Sequence, residues 1–174
     1  MTNKVSKKEM DLIYFYVIKC PVEYKKNKIK KIVSHQGIHF SKLNYTPQEI
    51  IKLIKAISKL INNNIKWYNN EINEKLIESE IKENNGYSDN NFEYIAIVEN
   101  PDMKKTKTIF YMIRNGFAHG DYKLNNKQIT LVSKNKGKIK CKMRLNIETL
   151  FKIEELYLTK SFIKEDSNNG NKRN

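Results

Sequence analysis

"KQITLVSKNKGKIKCKMRL", residues 127–145, alternates apolar and polar side chains on both sides of a central "NKG". A period of two belongs to strands with one buried face, so the stretch predicts a β-hairpin turning at the "NKG". Outside it the period changes. "NIETLFKIEELYLTKSFI" after it has helical spacing, with Asn146 as a candidate cap. "DMKKTKTIFYMIRNGFAHG" before it predicts a strong helix from a cap at Asp102 to a stop at Gly120.

Further upstream, "NYTPQEIIKLIKAISKLINNN" carries the clearest helix start. Thr46 caps, Pro47 suits the first helical position, and Glu49 completes a capping box. Ile50, Leu53, Ile54, Ile57, Leu60 and Ile61 then recur at helical spacing until Asn62–Asn64 loosen it. Residues 65–82 are expected to form a second amphipathic stretch through Ile65, Ile72 and Leu76, and residues 83–91 a polar loop. "NFEYIAIVENPD" fits either a short strand or a helix, ended by Pro101. "PVEYKKNKIKKIVSHQGIHF" supports several readings, and the tail over 165–174 has the polar composition of a disordered segment.

A chain of 174 residues, 39% hydrophobic and 30% charged, fits one soluble domain, here residues 1–164. No apolar run approaches the roughly 18–20 residues of a membrane span. "MTNKVSKKEMDLIYFYVIKC" starts basic and turns apolar, but Asp11, Lys19 and the lack of a small-residue cleavage site favour a first helix or strand over a signal peptide. Cys20 and Cys141 are too few for a disulfide framework, so a reducing cytoplasm is expected and the thiols are expected buried. The net charge of +14 invites a polyanion, although a chain so rich in Lys, Asn, Ile and Tyr is also what AT-rich coding produces.

Chemistry concentrates in "IRNGFAHGDY", residues 113–122. On a helix turning 100° per residue, Ile109, Phe110, Ile113 and Phe117 form the core side. Gly116 lies at its edge, where a missing side chain lets another element approach. Tyr111, Arg114, Asn115, Ala118 and His119 occupy the other side, with Arg114 and His119 roughly 140° apart. Histidine takes and returns protons near neutrality, and arginine offers a fixed positive fork to phosphate oxygens. With a ribose 2′-hydroxyl as nucleophile, removing its proton and stabilising the phosphorane are the main tasks, and no metal or other cofactor is called for.

"RNGFAH", Arg114 to His119, resembles the R-x-x-x-x-H signature of the HEPN superfamily in its form with a polar residue after the arginine. The likeness is sharp over about ten residues and architectural over about 100 more, as a pattern match. It implies a mainly α fold, a HEPN-like helical bundle, with the hairpin as a small addition after the motif helix. It also implies a metal-independent endoribonuclease, commonly a toxin or antiphage effector, that dimerises so that two motifs share one cleft. Arg114 and His119 would be catalytic, Asn115 supporting, and Tyr111 and Ala118 at the homodimer interface. The partners would be RNA and an antitoxin protein. One branch carries a modified Tyr two positions after the His; here Tyr122 stands three after it. A noncatalytic HEPN-like dimer that binds RNA or protein is the competing class.

The remaining candidates have plain readings. Lys136, Lys138 and Lys140 on the hairpin are candidate RNA contacts or edge-strand lysines that discourage aggregation. His35 and His39 have metal-like spacing, but Gly37 predicts a loop and no Cys/His cluster supports zinc. Trp67 and Tyr68 read as helix packing, and Glu154 with Glu155 as a helical surface.

Overall fold

The computed structural model describes residues 6–20, 22–26, 33–38, 40–83, 92–125 and 127–163. Helix α1 (Lys7–Tyr14) opens on a Ser6/Glu9 capping box and runs on as a π-helical turn, Phe15–Lys19. Strands β1 (Val22–Lys26) and β2 (Val33–Ile38) pair antiparallel as a separate ribbon, so His35 stands in a strand where a loop was expected. His39 lies outside the described residues. A 3-10 turn, Phe40–Leu43, leads to α2 (Pro47–Leu60), β3 (Ile65–Tyr68), α3 (Glu74–Glu83) and β4 (Tyr94–Val98). Helix α4 (Lys105–Ala118), strands β5 (Tyr122–Asn125), β6 (Gln128–Asn135) and β7 (Lys138–Asn146), and helix α5 (Ile147–Thr159) complete the order.

The expected mainly α bundle with a small hairpin is overturned: the fold is α/β. The hairpin forms, but as the middle of a five-stranded mixed sheet, order β3-β4-β7-β6-β5. Its β7 edge pairs antiparallel with β4, from Tyr94↔Arg144 to Ile97↔Cys141, and β3 adds to β4 in parallel. Every residue of β4 is buried. Ile95 and Ile97 join the main core, while Tyr94, Ala96 and Val98 pack with Ile72 and Ile77 under α3. A strand covered on both faces shows no alternation, which is why "YIAIV" fits strand and helix equally.

The expected helical stretch at 65–82 divides for a related reason. Asn62 and Asn63 adopt left-handed backbone, φ 52° and 62°, and stop α2. Asn64 then accepts the Ile95 N–H at 2.9 Å and donates its side-chain amide to the Glu93 carbonyl at 3.1 Å. Those bonds deliver "IKWY" to the edge of β4 as a strand, and helix resumes only at Glu74.

Thr46 and Glu49 close the capping box of α2, with Pro47 in its first turn. Asn146 occupies the N-cap position of α5. Asp102 does not cap α4; its N–H is held by the Asn100 side chain at 3.0 Å, and the helix starts two residues later from Lys104. Buried Thr106 donates to the Ile50 carbonyl at 2.8 Å and ties α4 to α2. The main core joins Ile109, Phe110, Ile113 and Phe117 of α4 to α2, α5, the π-helical turn and the inner face of the sheet. No described helix is long and apolar enough to cross a membrane.

Two glycines set the end of α4. A Cβ at Gly116 would fall 1.7 Å from Leu131 Cδ2 and 3.4 Å from the Val132 carbonyl oxygen, so β6 lies directly against the helix. Gly120, at φ 70°, closes the helix: its N–H reaches the Phe117 carbonyl at 3.1 Å and the Asp121 N–H reaches Gly116 at 2.9 Å. The Asp121 carbonyl then accepts from Val132 N–H at 2.8 Å, stitching the helix end to β6.

Gly116→Ala is expected to lower unfolding free energy by about 1–3 kcal/mol in urea titrations, through overpacking. Adding Leu131→Ala, which clears the space, should recover part of that loss. At Gly120 nothing lies within 4 Å of a built Cβ, so Gly120→Ala carries only the left-handed backbone penalty and Leu131→Ala brings no recovery.

Candidate active site

Arg114, Asn115 and His119 line one cleft of about 650 Å³. Helix α4 forms one wall, also through Tyr111 and Met112. The segment after β4, Glu99–Asn100–Pro101, forms the second, and the turn end of the β6–β7 hairpin the third, with Ser133, Lys134, Asn135 and Lys140. A regular helix leaves Arg114 and His119 roughly 140° apart. They share a cleft because its far walls come from two other segments and span the gap between them.

The hairpin wall depends on an irregularity. The β6/β7 register shifts between Ser133 and Lys134, and such bulges bend and twist a strand. Both neighbours therefore line the cleft, although alternation alone would send them to opposite faces. At the tip, Lys136 and Gly137 have φ 50° and 77°, the positive pair of a tight hairpin turn.

The Arg114 guanidinium donates to Asn115 Oδ1 at 3.2 Å, which assigns Asn115 a positioning contact. Arg114 Nε is buried with no hydrogen-bond partner among the described residues. A buried donor without an acceptor is costly. His119 is the residue after the last turn of α4, at φ −94°, ψ −1°, held by its own N–H to the Asn115 carbonyl at 3.0 Å. The residue as a whole is exposed at the cleft rim.

The three hairpin lysines separate. Lys140 lines the cleft. Lys138 pairs with Glu71, whose carboxyl it holds below the ordinary value by a hydrogen bond, and Lys136 is exposed at the turn. Lys134 joins the site instead, together with Ser133, Asn100 and Asn135. No local pattern marked those four, because two distant segments and a bulge bring them together. Ala118 is exposed, and Tyr111 is half-buried between cleft and core. Tyr122 packs edge-on against Phe117, ring centres 5.3 Å apart.

Neither cysteine belongs to the site. Both are buried; burial pushes the Cys20 thiol up to about 12 and raises Cys141 as well. Glu155 is surface as expected, but Glu154 is half-buried, and burial raises its carboxyl above the usual value. Trp67 and Tyr68 lie on a strand, not a helix. Among the described residues no three His, Cys, Asp or Glu side chains are grouped to hold a metal ion.

No family model matches the chain, and neither a curated protein nor a solved structure matches it. The cleft gathers cationic side chains, an imidazole and amides around one space. Inorganic phosphate is expected to raise the melting temperature by binding there, since a ligand that binds only the folded state stabilises it. Differential scanning fluorimetry should show that shift in the native protein and a much smaller one after Arg114→Gln with Lys140→Gln.

Proposed function

We propose that the protein cuts RNA by attack of a ribose 2′-hydroxyl on the adjacent phosphorus, using Arg114 and His119. The observation that supports this reading is their convergence on one cleft with Lys134 and Lys140. It is the chemistry of the HEPN motif that the sequence resembles, carried on an α/β scaffold instead of the implied bundle.

His119 transfers the proton. The 2′-oxygen bonds to phosphorus, and the 5′-oxygen of the next nucleotide departs and gains a proton. Arg114 stabilises the negative charge that builds on the phosphorane oxygens, through a planar fork that Asn115 holds in place. Lys134 and Lys140 hold flanking phosphates as the chain crosses the cleft. One imidazole can take the 2′-hydroxyl proton and return it to the departing 5′-oxygen, and a homodimer across the Tyr111/Ala118 face brings two such motifs to one cleft. A role as a toxin or antiphage effector held by an antitoxin protein fits such an enzyme.

His119→Ala is expected to reduce cleavage about 10²–10⁴-fold with folding and RNA affinity near wild type. Arg114→Lys should not restore the activity lost in Arg114→Ala, because an ammonium lacks the fork. Products should carry 2′,3′-cyclic phosphate and 5′-hydroxyl ends, with activity persisting in chelator. Products with 5′-phosphates, or two fully active variants, would sink the mechanism. RNA bound but never cut would leave the noncatalytic reading.

Light scattering should give a mass near twice 20.6 kDa, and Ala118→Arg should split that dimer without unfolding it. A strict monomer with full activity would remove the shared-cleft arrangement. In RNA titrations over a salt series, Lys140→Gln should lower the slope of log affinity against log salt by about one. Lys138→Gln should change it less, because Glu71 already neutralises that charge.

A further inference from the structure

Beyond the Glu99–Asn100–Pro101 wall lies a second cleft, about 430 Å³, which shares those three residues with the first. Trp67 of β3 lines it, with Asn69 and with Lys104 and Lys105 at the start of α4. The two clefts are therefore neighbours along one helix, the second at its N-terminal end and the first at its C-terminal end. Accepting the ribonuclease reading above, we propose that this second cleft is a substrate subsite in which an unpaired RNA base stacks on Trp67.

The side chains suit that occupant. An indole ring offers a stacking surface to any base. Asn100 spends its Oδ1 on the Asp102 N–H at 3.0 Å, which fixes the amide and leaves its NH₂ as a donor, and Asn69 adds a second amide. Lys104 and Lys105 supply positive charge for the phosphates on either side of the base.

At present Lys105 covers the ring. Its Nζ lies 4.8 Å from the Trp67 ring centre and 2.7 Å from Glu99 Oε1, with the Lys105 side chain 53% exposed. An exposed ion pair and an exposed cation–π contact are both weak holds. A base that stacks on the indole replaces the cation–π contact, and a phosphate beside it offers Lys105 a charged partner in place of Glu99. The lysine thus acts as a displaceable cover that becomes a phosphate contact. Double-stranded RNA, whose bases are already stacked and paired, cannot make this exchange, so the subsite selects single strands.

Trp67 is the one tryptophan of the chain, so its fluorescence reports on this cleft alone. In His119→Ala protein, titration with short oligo(U) and oligo(A) should quench the emission saturably, and a blunt RNA duplex should not. Trp67→Leu should weaken single-strand binding about tenfold, read by anisotropy of a labelled oligonucleotide, with KM for cleavage rising more than kcat falls. Lys105→Ala should keep the quench while lowering the salt slope of binding by about one. If Trp67→Leu fails to fold, the fluorescence titration still decides.

Cleavage with no change in Trp67 emission on saturating oligonucleotide would overturn the subsite and leave the nuclease reading standing. Saturable quenching by an RNA that the wild-type protein never cuts would do the reverse. Equal quenching by duplex and single strand would also overturn it, since a paired base cannot reach the ring.

Discussion

The contact on which the rest of the molecule depends is the seating of α4 against β6 at Gly116. Leu131 fills the space a side chain would take there, and the Val132 carbonyl lies just beyond. That approach brings the motif helix against the hairpin closely enough for Lys134, Asn135 and Lys140 to wall a cleft opposite Arg114. The Gly120 cap works with it. A left-handed residue at that position turns the chain straight into β5, and the Asp121–Val132 bond locks the turn to the sheet. The backbone of His119 is thereby held one residue past the end of α4.

The excess of positive charge is organised unevenly. On β7, Lys138 and Lys142 face Glu71 and Glu74, at the approach to α3 and in its first turn, and Arg144 lies over the Phe92 and Tyr94 rings. Much of the charge on that face is met within the protein. Around the two clefts the balance differs: Lys104, Lys105, Lys134, Lys140 and Arg114 line them against Glu99 as the acid of their shared wall. Among the described residues the two clefts thus carry five cationic side chains against one acidic one.

The capping box at Thr46, the apolar side of α4 and the alternation over 127–145 were readable because each depends on neighbours within a few residues. The β4 strand was not, because burial on both faces removes the period. Arg114, Asn115 and His119 were also readable as a polar group on the non-core side of α4. The partners of those residues were not, since Asn100 and Lys134 arrive from segments on either side of it in the chain. Trp67 shows the same limit: its sequence neighbourhood favours helix packing, and only pairing with β4 makes it part of a cleft.

What the sequence by itself determined is therefore local: where α2 starts and α4 stops, which face of α4 is core, and where the hairpin turns. Tertiary structure alone decided that the hairpin is the centre of a mixed sheet and that the fold is α/β. It also decided that side chains roughly 140° apart on one helix open into one space. The physical reason is that strand pairing and cleft walls are contacts between residues far apart in the chain, such as Ile97 with Cys141. Hydrophobic period and capping chemistry encode only the angle of a side chain about its own axis, and leave open which distant backbone will meet it.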